Sequence, residues 1–266
     1  MPDDPSTEIL SYINPHSILG MVSARYKIFD VGFQKNKNNV VLFYPFKTED
    51  ITSRNEDKVF ISYLLEDEYN YLKSLDIPHK KSKQALILSD INEEFLKLNG
   101  AKFHEFREVR NKYNKICTIK TEPNSLEEVG GLIDVWDEVR GPAHGIQRHS
   151  GYDRNFFNNV YPKEKDNLFS YFFYIEDKLV GYSVVSKLGN GINFSYLIRK
   201  NDTRFRNLCL YIDYKTFDLM FNELKTSFTI NWGAASGKIL KYKKKFPIYK
   251  EVPVWFCKVI KEKKNV

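Results

Sequence analysis

The chain has 266 residues, 42% hydrophobic and 15% aromatic, with 28% charged side chains and a formal net charge of +7. That composition argues for a folded globule, and no apolar run is long enough to span a bilayer as a helix. The basic excess favours anionic partners such as RNA, phosphorylated cofactors or acidic lipid headgroups without choosing among them.

In chain order, "YKIFDVGFQ" and "VVLFYPF" flank "KNKNN" and read as a β-hairpin. "EDKVFISYLLEDEYNYLKSL" reads as a strand or short helix feeding an amphipathic helix. "QALILSD" is a strand ending at Asp90; Asp90 with Glu93 offers a helix cap, and "INEEFLKLNG" closes on Gly100. "AKFHEFREVRNKYNK" places Phe103, Phe106, Val109 or Arg110, and Tyr113 at helical spacing. Lys102, Arg107, Arg110, Lys112 and Lys115 occupy its other faces.

"KICTIKTE" alternates as a strand that Pro123 breaks. Ser125 with Glu128 forms a capping box, and Leu126, Val129, Ile133, Trp136 and Val139 mark a core-facing helix. "RGPAHGIQRHSGYDR" is a loop and "NFFNNVY" a short helix. "LFSYFFYIE", "KLVGYSVVSK" and "GINFSYLIRK", joined by "EDK" and "LGNG", form an antiparallel meander. A long helix "FRNLCLYIDYKTFDLMFNEL", a strand "SFTINWG", a helix "SGKILKYKKKF" and a strand "VPVWFCKVIKE" complete the chain.

Over residues 115–263 the order is β-α-α-β-β-β-α-β-α-β, which resembles the GNAT acyltransferase fold. "LNGAKFHEFREVRNKYNK" (98–115) resembles a basic helix of bacterial proteins related to the C-terminal domain of phosphatidylglycerol lysyltransferases. There a leucine-glycine turn precedes a helix of the form K-[FY]-x-x-x-R-x-x-[IR]-N. "SGKILKYKKKFP" (236–247) resembles the closing helix of the same group, and the similarity covers residues 85–263. The resemblance, which extends to Fem-type peptidyltransferases, implies an α+β fold of tandem GNAT-like domains with a central mixed, mostly antiparallel sheet flanked by helices. Residues 1–114 would be a diverged N-terminal half ending in the basic helix, and 115–266 a C-terminal GNAT-like domain.

It also implies acyl or aminoacyl transfer to an amine or hydroxyl acceptor. The co-substrate would be acyl-CoA or aminoacyl-tRNA, with no tightly bound cofactor. The acceptor would be a small molecule, a peptide or a lipid headgroup. CoA-dependent relatives cradle pyrophosphate in a [QR]-x-x-G-x-[GA] turn at a helix start, where glycine admits the phosphate to backbone N–H groups. Here that stretch is "RFRNLCLY": Arg204 and Arg206 are present, but Leu208 and Cys209 replace the small residues. Asn231 would end a strand at the donor cleft, and Gly233 would permit a tight turn there. Tyr242 is the candidate to protonate the departing group, with Lys243, Lys244 and Lys245 as cations for RNA or a lipid headgroup.

The loop beside the implied acceptor pocket carries His144, Gln147, Arg148, His149, Asp153 and Arg154; either histidine could take the proton of an attacking amine. Asn193, Ser195 and Leu197 share one strand face and Phe194, Tyr196 and Ile198 the other, so Asn193 and Ser195 are the cleft-lining candidates. Arg107 and Arg110 suit phosphate through their guanidinium forks. No G-x-S-x-G, P-loop or dinucleotide motif is present, and no cysteine–histidine spacing suits a metal. Cys117, Cys209 and Cys257 are far apart, the pattern of reduced thiols in a cytoplasmic protein. The acidic, polar "MPDDPSTEIL" reads as neither a secretory signal nor a transit peptide. A reading of a different class is a non-catalytic GNAT-like module that binds RNA or an anionic surface.

Overall fold

Apolar runs become strands, and apolar positions three and four apart become helices, in the computed structural model of the chain, which describes residues 39–42, 51, 58–140, 153–154, 156–188 and 193–260. The fold is α+β with a mixed sheet. The chain gathers into two compact units, Met1–Leu88 with Asn231–Val266, and Ser89–Ile230. Each side of the expected 114/115 boundary therefore contributes to both units.

In the first unit β1 (Asn39–Leu42) runs parallel to β2 (Lys58–Leu64). β2 pairs antiparallel with β9 (Ile248–Val259), and β3 (His79–Ile91, in this unit up to Leu88) follows in strand order. The first strand of the expected hairpin lies outside the described residues; its second strand has β2 as a parallel partner. Helix α1 (Glu66–Ser74) lays Tyr69 and Leu72 on Ile61, Leu64, Cys257 and Val259. Trp255 stacks on Tyr69 with centroids 4.5 Å apart and donates Nε1–H to Glu66 at 2.9 Å.

The second unit opens with α2 (Glu93–Lys97). Asn92 Oδ1 accepts the N–H of Phe95 at 3.0 Å, and Leu98 takes the left-handed conformation at φ 56°. The cap is thus Asn92 rather than Asp90, and the helix ends before Gly100. Helix α3 (His104–Tyr113) follows, with Phe103, Phe106, Val109 and Tyr113 buried on the expected stripe.

β4 is short (Thr118–Lys120). The capping box forms: Glu128 N–H donates to Ser125 Oγ at 3.2 Å, and Glu128 Oε1 accepts from the N–H of Asn124 at 2.7 Å. In α4 (Leu126–Arg140) Val129 and Ile133 are buried, but Leu126 and Val139 are 38% and 52% exposed. A periodic stripe carries no information on where the supporting sheet stops, so both ends of this one face solvent.

A π-helical turn (Phe156–Val160) and α5 (Tyr161–Glu164) lead into β5 (Leu168–Ile175), β6 (Lys178–Leu188) and β7 (Asn193–Asn201). Strand order here is β7-β6-β5-β4, antiparallel throughout. Glu176 and Asp177 turn β5 into β6 with φ of 50° and 58°, as a two-residue hairpin requires. Helix α6 (Leu208–Leu224) covers one sheet face: Phe217 meets Tyr196 and Phe228, and Tyr211 meets Phe173. β8 (Phe228–Ala235) passes from this unit into the first and precedes α7 (Gly237–Lys243).

Candidate functional site

The most polar part of the second unit lies where β7 ends. Register slips between Val184, opposite Ile198, and Val185, opposite Tyr196, so Leu197 has no cross-strand partner. This is a β-bulge, and it reverses the alternation of side chains. Tyr196 and Arg199, three apart, consequently reach the same side of the sheet. Tyr196 OH donates to Asp213 Oδ1 at 2.7 Å and Arg199 Nε lies 3.0 Å from the same oxygen. Asp213 is fully buried on α6, beside the Ser183–Thr216 hydroxyl pair at 2.6 Å. Burial, and then the negative Asp213, hold the Tyr196 hydroxyl protonated far above its ordinary range.

On the opposite face Lys200 Nζ lies 3.0 Å from Asp153 Oδ2 and 3.7 Å from the ring centroid of Trp136. A desolvated ammonium held by a carboxylate and an indole face is a strong local arrangement. Tyr182 OH donates to Asp153 at 3.4 Å, and burial, with Asp153 adding to it, raises this hydroxyl well above its usual value. Arg154 is paired with Asp134 and donates to the carbonyl of Gly130 at 3.1 Å. Asp137 Oδ2 is buried with no hydrogen-bond partner among the described residues, and its charge acts on both Arg154 and Tyr182. An orphaned carboxylate oxygen can receive an N–H or take a proton.

The start of α6 differs from a phosphate cradle. Leu208 is fully buried, its side chain filling the place a glycine would leave open. Asp202, nearly buried, accepts from both the backbone N–H and Nε of Arg204 at 3.0 Å. The Arg204 guanidinium keeps this carboxyl below its ordinary value. Arg206 has an exposed side chain, while its carbonyl accepts from Tyr113 OH at 2.7 Å.

Tyr211 OH bonds Asn114 at 2.9 Å, so the basic helix α3 is tied to α6 by paired tyrosines. Arg107 closes the turn after α2 by donating to the carbonyls of Leu98 and Gly100 at 2.6 and 2.7 Å. Arg110 is half-buried beside the hydroxyl of Tyr214.

In the first unit Asn231 is buried, and its Oδ1 accepts the N–H of Gly233 at 2.8 Å, setting a kink with φ 71° at the glycine. Lys243 does not project from the helix exit. It is buried, and its ammonium donates to the carbonyls of Trp232 and Gly233, the latter at 3.0 Å. The two carbonyls point the same way because the glycine breaks the pleat. Lys244 pairs with Glu251 at 2.8 Å. Lys245 is exposed, 6.0 Å from the ring of the half-buried Tyr242, which packs edge-on against Phe246.

His144, Gln147, Arg148 and His149 lie outside the described residues, and of Asn193 only the backbone is described. Ser195 is fully buried and its Oγ has no hydrogen-bond partner among the described residues. Lys200, Tyr182, Asp137 and Asp213 carry no motif in the sequence, and Trp136 reads there only as part of a core-facing stripe. The one available signal was "RK" closing an apolar strand, a costly placement unless carboxylates await both side chains. Cys117 and Cys257 are pushed up to about 11 by burial, which suits structural thiols. Among the described residues no group of side chains could hold a metal ion, and no helix is long and apolar enough to cross a membrane.

Solved structures share this fold at low identity. The structure of L-PGS from Bacillus licheniformis is similar with a TM-score of 0.55 and 11% identity, over 84% of this chain and 78% of that one. The C-terminal domain (DUF2156) of a putative lysylphosphatidylglycerol synthetase from Agrobacterium fabrum gives 0.53 and 12%, over 75% and 67%. FemX gives 0.51 and 11%, over 94% and 78%. No protein-family model matches the chain, and no curated protein matches it in sequence. The α+β fold with a mixed sheet flanked by helices is therefore the fold observed, and it is shared with these structures.

Proposed function

We propose that the protein is an acyl- or aminoacyl-transferase, and that its donor is an aminoacyl-tRNA rather than an acyl-CoA. The observation that carries the transferase assignment is the β7 bulge at Leu197 between two neutralised polar clusters. A bulge leaves one residue's backbone out of the ladder, and an unladdered N–H in a desolvated place can polarise a donor carbonyl. An acceptor amine would attack that carbonyl carbon while the ester C–O bond breaks. The amine's proton would pass to a carboxylate, for which the orphaned oxygen of Asp137 is suited, and on to the departing ribose oxygen, which leaves as the tRNA hydroxyl.

The start of α6 supports the choice of donor. A pyrophosphate there would meet the buried carboxylate of Asp202 and the side chain of Leu208 instead of free backbone N–H groups. Arg204, already bonded to Asp202, would have to change partners. The same feature favours the second reading, a non-catalytic module that binds RNA. In either case the tandem arrangement of two GNAT-like halves is part of the proposal, as is a cytoplasmic location.

The test sets CoA, acetyl-CoA and charged tRNA side by side in a thermal shift, followed by transfer of a labelled aminoacyl group to amine and lipid-headgroup acceptors. Stabilisation by charged tRNA with turnover, and loss of turnover on Asp137→Asn with the fold intact, is the expected result. Stabilisation by the CoA species alone would overturn the donor. Binding of tRNA without turnover, indifferent to Asp137→Asn and Tyr242→Phe, would leave the binding module.

A further inference from the structure

On the sheet face of the first unit that α1 covers, Trp255 of β9 is half-buried and stacked on Tyr69. The neighbouring strand β3 brings two lysines to that indole, two residues apart and so on one face. The ammoniums of Lys81 and Lys83 each lie 5.1 Å from a Trp255 ring centroid, and Lys81 is as close to the ring of Tyr69. Both lysines are exposed, and neither has an ion pair or a hydrogen-bond acceptor among the described residues. Glu66 accepts the indole N–H at 2.9 Å and is bonded to neither of them. Ring faces attract cations without neutralising them. Two like charges gathered at one indole therefore leave a positive field that an anion relieves, a doubly charged one most.

Farther along the same two strands the side chains are small. A hollow of about 430 Å³ opens where Lys83, Ala85 and Pro253 meet Leu240 of α7. Small-molecule sites span about 300–1,000 Å³, so this one has room for a ligand. Its lining is apolar at Ala85, Pro253 and Leu240 and polar at Gln84 and Ser236, whose hydroxyl is not spent on capping α7. Glu251, the one carboxylate among the described residues that line it, is already paired with Lys244 at 2.8 Å. Lys83 thus gives the hollow its net charge. The matching ligand has a flat apolar body, an anionic end and polar atoms along its edge. We propose that the hollow binds a phosphate monoester of an aromatic ring system, of nucleoside monophosphate size. Its phosphate would lie at Lys81 and Lys83, its ring on Ala85, Pro253 and Leu240, and the polar ring edge at Gln84 and Ser236. The site lies wholly within the first unit, apart from the β7 bulge, and does not depend on the transferase assignment.

Titration of the full chain at constant ionic strength with AMP, adenosine, glucose 6-phosphate and inorganic phosphate tests it, by calorimetry and thermal shift. AMP should bind saturably, and the other three about tenfold more weakly or less, since each lacks either the phosphate or the aromatic ring. Lys83→Ala should weaken AMP binding about tenfold, the loss of one hydrogen bond to a charged group. Its side chain is exposed, so circular dichroism should show the fold intact. Ala85→Leu fills the hollow while leaving both lysines in place, and should abolish AMP binding. The proposal is overturned if AMP does not bind, if any of the other three binds as tightly, or if either variant keeps the original affinity.

Discussion

The two outer strands of the β5-β6-β7 meander treat buried polar groups in opposite ways. Where β7 ends, carboxylate, ammonium, guanidinium and hydroxyl are bonded to one another on both sheet faces, through Asp213 on one and Asp153 on the other. On β5, the hydroxyls of Ser170 and Tyr171 are buried just as deeply and meet no hydrogen-bond geometry among the described residues. Burial alone therefore does not mark a site. A satisfied cluster fixes the bulge and is expensive to break, whereas an unsatisfied pair costs stability.

Breaking the satisfied cluster should give the largest effects. Asp213→Ala removes the buried carboxylate shared by the Arg199 guanidinium and the Tyr196 hydroxyl and should cost about 3–5 kcal/mol in urea unfolding. Adding Arg199→Met should recover a large part of that loss; a cost below about 1 kcal/mol would show that the cluster is not dry. Lys200→Met should be next, about 3 kcal/mol, because the nearly buried Asp153 loses its ammonium partner while keeping its charge.

Gly181→Ala should cost about 1–3 kcal/mol. Its Cβ would lie 2.3 Å from the tip of the fully buried Ile212 and 3.3 Å from the carbonyl of Lys200. A direct comparison of the two strands is Tyr196→Phe against Tyr171→Phe. The first should lose about 1–2 kcal/mol and the second nothing. Equal losses would erase the distinction.

The smallest effects are in pH dependence. Burial raises Tyr161 and Tyr174 to about 12, the latter also bonded to Glu128. Both protons are held more tightly in the fold than in the unfolded chain, where tyrosine titrates near 10. Their contribution is complete below pH about 10 and disappears as pH rises through the folded values. Phenolate absorbance followed alongside unfolding should show the two steps together. Asp202 runs the other way. Lowered by Arg204, it stabilises above the ordinary aspartate range and ceases to as pH falls through its folded value. Arg204→Ala should flatten that acid limb, its small cost appearing at neutral pH and vanishing once Asp202 is protonated.

Much of this was legible in the sequence. The Ser125–Glu128 box, the apolar stripe from Phe103 to Tyr113, the meander and the crossover helix all follow from residues within a few positions of one another. Element order then led to the α+β fold shared with L-PGS and FemX. Leu208 was visible as a misfit for a phosphate turn, and it is buried. The missed features share a different character. Ile198 was grouped with Phe194 and Tyr196 by strict alternation, which the bulge at Leu197 breaks. Lys243 was read as an exposed cation, yet its ammonium reaches back to the carbonyls of Trp232 and Gly233. Asp153 looked like one polar loop residue among several until Lys200 and Tyr182 met it.

By itself the amino-acid order determined which segments are helices and strands and which faces are apolar, because caps and periodicity are local interactions along one segment. Only the tertiary structure decided where the sheet bulges, which charges are buried, and which hydroxyls lack partners. Those outcomes depend on cross-strand register and on groups distant in the chain, whose electrostatics change once water is excluded from between them.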